Sequence, residues 1–281
     1  MPGTPFRLTS QRKKILELLC RYSYLRTSHF YDLLSAQSDG SRRAVRRLLR
    51  DFWVRRYLKR KPIVDYRVTS PFPRYENIFW LSRSGLFLAR DCGFREGITT
   101  PEKSPHTLEH EATITEFHLA VEQVANSNHL ELYWQQHNLK RSVNPDALFA
   151  LIDPRYPEGE STFYYFLEVE KSREGNYHDG ESALMRKLER YFGYQGTSDC
   201  RRDWIWFDEF RVLILVTNET QQHRLLERLA PRFPLRMFWV ASERMNFAEL
   251  VFRTPLDYRT AAYSLLADRY YWSPLGCVPS G

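Results

Sequence analysis

Residues 163–171 read FYYFLEVEK, and the two acids set into this aromatic run decide how the second half of the chain is understood. Aromatic and β-branched residues in a short run predict a strand. Side chains alternate across a strand, so Glu168 and Glu170 share one face while Lys171 points to the other. Carboxylates on an apolar strand are costly to bury without a cation or hydrogen-bond donors. Upstream, Pro145-Asp146 opens a second strand, Ala147 to Ile152. Pairing of the two strands as a hairpin predicts Asp146 beside the glutamates, which gives three carboxylates at one sheet edge. Hard oxygen ligands of this kind suit Mg2+ or Mn2+. A metal there would activate water and stabilise charge on an attacked phosphodiester. The plainer alternative makes Asp146 a turn cap after proline.

Around this pair the chain alternates helical and strand-like runs. Helix Leu108 to Ala125 and strand Leu130 to Trp134 come first. After the two acid-bearing strands follow helix Ser182 to Tyr194, strand Val212 to Thr217, helix Gln221 to Ala230 and strand Met237 to Val240. This order predicts an α/β domain with a mixed sheet. Lys187 and Tyr191 are i and i+4 on one helical face near the strand edge. Tyr191 reads either as a site residue or as a packing ring with its hydroxyl tied. His110 falls in line with Ile114, Phe117, Val121 and Val124, so it is a site residue or a core histidine. The polar stretch SREGNYHDGES, with Glu174 and His178, reads equally as a substrate-ordered lid or a connection.

The first hundred residues differ in character. Apolar Ile15, Leu18 and Leu19 predict a helix from Ser10 to Arg21 behind a Thr9 or Ser10 cap, and Ser28 to Leu34 fits a second. After the turn Asp39-Gly40-Ser41, a third runs through RRAVRRLLRDFWVRRYL. Val45, Leu48, Leu49, Phe52 and Trp53 are its expected core stripe; Arg42, Arg43, Arg46, Arg47 and Arg50 cover much of the rest. Strand-like Ile63 to Val68 and Ile78 to Leu81 flank TSPFPR, a hairpin with Arg74 at its tip. SRSGLFLAR, with Ser82 as cap, closes the unit. Three helices and a hairpin predict a winged helix-turn-helix whose arginines bond phosphates.

Charge divides along the same line. Residues 1–100 hold 21 Lys and Arg against 8 Asp and Glu, a net +13, which leaves −6 on the remainder of a chain totalling +7. Ten basic residues against the single acid Asp51 between Ser41 and Lys61 favour a polyanionic partner over a neutral solvated face. Double-stranded DNA is the expected partner. No run reaches the roughly 18 apolar residues of a membrane span, and the N-terminal residues lack a secretion signal. Cys20, Cys92, Cys200 and Cys277 are scattered without metal or disulfide spacing. A cytoplasmic setting is expected. The expected domains are 1–95, a Pro/Thr-rich linker at 96–107, and 108–245, with an extension of open role at 246–281.

Helix, then Pro-Asp, then ExE or ExK on the next strand resembles the PD-(D/E)xK nuclease superfamily. A winged helix followed by His110, Pro145-Asp146, LEVEKSRE (Leu167 to Glu174) and KLERY (Lys187 to Tyr191) resembles, over most of the chain, the replication-relaxation family of plasmids and mobile elements. It is also similar to the related C-type mobilisation relaxases. The resemblance implies a winged helix followed by a restriction-endonuclease-like mixed-sheet domain, with Asp146, Glu168 and Glu170 at the metal-binding positions. It implies a protein that nicks or relaxes DNA in replication or mobilisation; a homo-oligomer and other mobile-element proteins stay open as partners, on which the sequence is silent. One departure stands out: the superfamily usually has lysine two residues after the first acid, where this chain has Glu170, with Lys171 next. Lys187, from the following helix, is the candidate for that missing charge. The alternatives are a non-catalytic replication or transcription factor on a degenerate nuclease fold, and an adaptor whose winged helix binds protein.

Overall fold

A computed structural model describes residues 6–35, 42–64, 74–94, 103–136, 139, 141–157, 162–171, 177–204, 207, 209–233 and 237–242. The chain divides into two compact units, Met1–Thr115 and Glu116–Gly281. The division falls inside a long helix. Of the expected linker, residues 96–102 lie outside the described residues and 105–107 open that helix. Residues 246–281 are outside them too.

The first unit contains α1 (Ser10–Tyr22), β1 (Leu25–Arg26), α2 (Thr27–Ser35), α3 (Arg42–Val54), β2 (Leu58–Val64), β3 (Tyr75–Leu81) and α4 (Arg83–Asp91), with the start of α5 (Pro105–Ser127). Its antiparallel sheet runs β1-β3-β2, so it is a winged helix. Thr9 caps α1 by accepting from the Arg12 amide, and Ser82 caps α4 by accepting from the Gly85 amide at 3.0 Å. The core gathers Ile15, Leu16 and Leu19 of α1 with Phe30 and Phe52. Leu108 and Ala112 of α5 pack with Tyr24, Ile63, Ile78 and Trp80.

Helix α3 stops earlier than its arginine-rich sequence suggests. The Tyr57 amide donates to the Phe52 carbonyl at 3.0 Å, the Arg56 amide donates to the Trp53 carbonyl at 2.9 Å, and Arg56 has φ 61°. This is a Schellman closure, with an arginine in the left-handed position that glycine usually fills. Strand β2 therefore starts at Leu58. Trp53 also leaves the expected core stripe: it is 38% exposed, and the Arg60 guanidinium lies 3.6 Å over its ring.

Gly85 has a separate steric cause. A β-carbon there would lie 2.0 Å from the Tyr57 carbonyl oxygen, so only glycine lets α4 meet the turn after α3.

In the second unit, β4 (Glu131–Gln135), β5 (Ala147–Ile152), β6 (Thr162–Glu170), β7 (Arg211–Val216) and β8 (Phe238–Ser242) lie in that order across one sheet. Neighbours β4, β5 and β6 pair antiparallel, whereas β6, β7 and β8 pair parallel. The helices are the rest of α5, α6 (Tyr177–Tyr194), the short α7 (Ser198–Asp203) and α8 (Glu219–Leu229). Leu184, Leu188 and Tyr191 of α6 and Leu225 and Leu229 of α8 join Leu148, Phe166, Ile214 and Val240 in one core. Residues 149 and 165 have the opposite parity, and Phe117 of α5 packs against Phe149. Helices thus cover both faces of a mixed sheet. His178 lies inside α6 rather than in a loop, and Glu174 is outside the described residues. Among the described residues no helix is long and apolar enough to cross a membrane.

Candidate active site and basic surface

The β5–β6 register sets the site. Ala147 pairs with Leu167, so one step outward Asp146 comes opposite Glu168. The Asp146 amide donates to the Leu167 carbonyl at 3.0 Å, and its Oδ2 accepts from the Val169 amide at 2.8 Å. The aspartate thus holds a backbone donor of the neighbouring strand.

Glu168 is 3% exposed. Its Oε2 accepts from the Lys187 ammonium and its Oε1 from the Tyr191 hydroxyl. One turn of α6 therefore supplies both partners, as i and i+4 spacing requires. Burial, then the charge of Asp146, pushes the Glu168 carboxyl up to about 7, against the pull of Lys187. Burial and the charge of Glu168 hold the Tyr191 hydroxyl well above its ordinary range, so it stays protonated and donates.

Asp146, Glu168, Lys187 and Tyr191 are brought together. The expected third carboxylate is not: among the described residues, no three His, Cys, Asp or Glu side chains converge as a metal-holding group. Glu170 is half-buried at the end of β6. It lies about 7 Å along the strand from Glu168, whereas Asp146 stands directly across. Lys171 follows, half-buried, just past the strand, and His110 belongs to the first unit, half-buried on α5.

The anchor behind Asp146 was missed by sequence reasoning. Asp203 of α7 accepts from the Ser142 amide at 3.0 Å, the Ser142 hydroxyl at 2.7 Å and the Tyr194 hydroxyl at 3.0 Å. Its hydrogen bonds with Ser142 lead the effects that hold its carboxyl down to about 2. The segment leading into Asp146 is thereby tied to α7. The available signal was Thr197, which caps α7 by accepting from the Cys200 amide.

On α3, Arg42, Arg43, Arg46, Arg47 and Arg50 are all exposed, opposite buried Val45, Leu49 and Phe52. They fill roughly 140° of the helix circumference at about 100° per residue. The Arg42 and Arg46 guanidiniums lie 5.5 and 5.7 Å from the Tyr31 ring. Asp51, the acid of this stretch, is held by Arg12 at 2.5 Å and Arg55 at 2.9 Å, so the strip stays positive. Arg74 is exposed just before β3; residues 65–73 lie outside the described residues.

No family model matches the chain, and no curated protein matches it. Two solved structures are slightly similar. The first is Bacillus subtilis PadR in complex with operator DNA, at 16% identity over 43% of this chain and 71% of that one, with a TM-score of 0.24. The second is the restriction endonuclease FokI bound to DNA, at 11% identity over 94% of this chain, with a TM-score of 0.29. The chain spans 48% of the FokI chain. The fold is therefore read from the strand order and helix placement above.

Proposed function

We propose that this protein binds double-stranded DNA through its winged helix and cleaves a phosphodiester at the Asp146–Glu168–Lys187 group. The observation that carries the proposal is the juxtaposition across β5 and β6: two carboxylates face each other, and a lysine from the following helix is set on one of them. Support for DNA as the substrate comes from the five exposed arginines of α3. Mixed-sign solvation does not explain a strip whose acid is already neutralised.

In this reading Mg2+ or Mn2+ would be held by two carboxylates, Asp146 and Glu168, rather than by the three expected. Such an ion, when bound, supplies Lewis-acid activation of water and of the phosphate. The chain's own residues do the rest. Tyr191 fixes the Glu168 carboxyl by donating to it, Val169 fixes that of Asp146, and Lys187 keeps a positive charge where a phosphate oxygen gains negative charge. On the resemblance of its motifs, the setting is replication or mobilisation of a plasmid or mobile element.

Supercoiled plasmid bearing the element's origin, incubated with Mg2+ or Mn2+, is expected to become open circle. Asp146→Asn and Lys187→Met are expected to lose this activity. Nicking at the wild-type rate by both variants would overturn the assignment. One observation favours a second reading, a non-catalytic DNA-binding factor: Lys187 already neutralises Glu168, and no third acid joins the pair among the described residues. That reading predicts no nicking under any metal.

A further inference from the structure

We infer that Arg186 and Arg190 of α6 form an anion-binding edge for the phosphodiester backbone of the strand being processed, an inference that rests on the second unit's acting on nucleic acid. The site has an electrostatic difficulty that the catalytic group does not solve. Asp146 and Glu168 stand opposite each other in a part of the chain, residues 101–281, whose net charge is −6. A polyanionic strand approaching them is repelled. Lys187, paired with Glu168, offsets one of the two acids.

Helix α6 supplies further cations on the correct flank. Leu184, Leu188, Tyr191 and Tyr194 are buried, whereas Arg186 and Arg190 are exposed. At about 100° per residue, Arg186, Arg190 and Lys187 span roughly 100° of arc, and Tyr191 lies about 40° beyond Lys187. The two arginines thus border the helix face that delivers Lys187 and Tyr191 to Glu168. Glu189 falls on the far side of Arg186, away from Lys187. Each guanidinium presents several donors in a plane, which suits the two oxygens of a phosphodiester better than a point charge.

The test is the salt dependence of binding to a fluorescein-labelled oligothymidylate strand, read by anisotropy in EDTA. It is performed in full-length protein carrying Arg42→Ala, Arg43→Ala, Arg46→Ala, Arg47→Ala and Arg50→Ala, which removes the exposed arginines of α3. Adding Arg186→Ala and Arg190→Ala is expected to make the slope of log affinity against log salt shallower by about 1.4, the value for two phosphates on a single strand. Arg186→Lys with Arg190→Lys is expected to keep the slope. An unchanged slope in the alanine pair overturns the inference. So does an equal loss in Arg224→Ala with Arg228→Ala on α8, which would mark a net-charge effect. Without metal or cleavage in the assay, a wild type that never nicks would refute the proposed activity and leave this edge standing.

Discussion

Asp146 Oδ2 accepts from the Val169 amide at 2.8 Å, so one carboxylate both stands opposite Glu168 and holds the strand that carries it. The two roles separate by substitution. Asp146→Asn keeps an acceptor oxygen for Val169 and removes the charge. Asp146→Ala leaves a backbone donor unsatisfied, which costs about 1–3 kcal/mol. Urea denaturation is expected to show the alanine variant destabilised by that amount and the asparagine variant close to wild type. Equal stability of all three would mean that the Val169 bond contributes nothing.

The raised Glu168 carboxyl sets a pH dependence of stability. Its folded value, about 7, lies above the ordinary 4.5, so the folded state binds the proton more tightly than the unfolded one. This contribution is fully present below about pH 4.5 and is lost as pH rises through about 7. It amounts to at most about 3 kcal/mol. Thermal melts from pH 5 to pH 8 are expected to show the wild type losing more stability than Glu168→Gln. Parallel curves would show that Glu168 titrates in its ordinary range.

Lys187 and Tyr191 act on Glu168 in the same direction, because each bonds its charged form. Lys187→Met is expected to move the Glu168 titration further upward, and Tyr191→Phe to move it upward as well. Carboxyl carbon NMR across pH 5 to pH 9 measures both shifts. A downward shift in either variant would contradict the bonds described.

Gly85→Ala tests the first unit alone. The added carbon would meet the Tyr57 carbonyl oxygen at 2.0 Å, a backbone atom that also accepts from the Ser82 amide at 3.0 Å. Overpacking at such a point costs up to about 3 kcal/mol. Thermal denaturation is expected to show it, whereas Gly93→Ala, with open space at that position, is limited to the smaller cost of its positive φ.

Sequence patterns reached much of this fold where a local cause was at work. The strand Ala147 to Ile152 and the Ser82 cap were legible because alternation and capping act over a few residues. The end of α3 was not: its closure needs a positive φ at Arg56, and arginine gives no sign of that conformation. β1 spans two residues, too few to show periodicity. Within the site, strand parity put Glu168 and Glu170 on one face, but parity does not say which of them stands across from Asp146. That depends on register, which chooses Glu168 and leaves Glu170 outside the group.

Calorimetric titration of Mn2+ into the protein at pH 8, where Glu168 is largely ionised, tests most directly whether Asp146 and Glu168 form a metal-dependent centre. Heat from a single saturable site is expected for the wild type, weaker binding at pH 6 because protons compete for Glu168, and no such site in Asp146→Asn or Glu168→Gln. Binding that survives in both variants, or no binding by the wild type, would contradict the account.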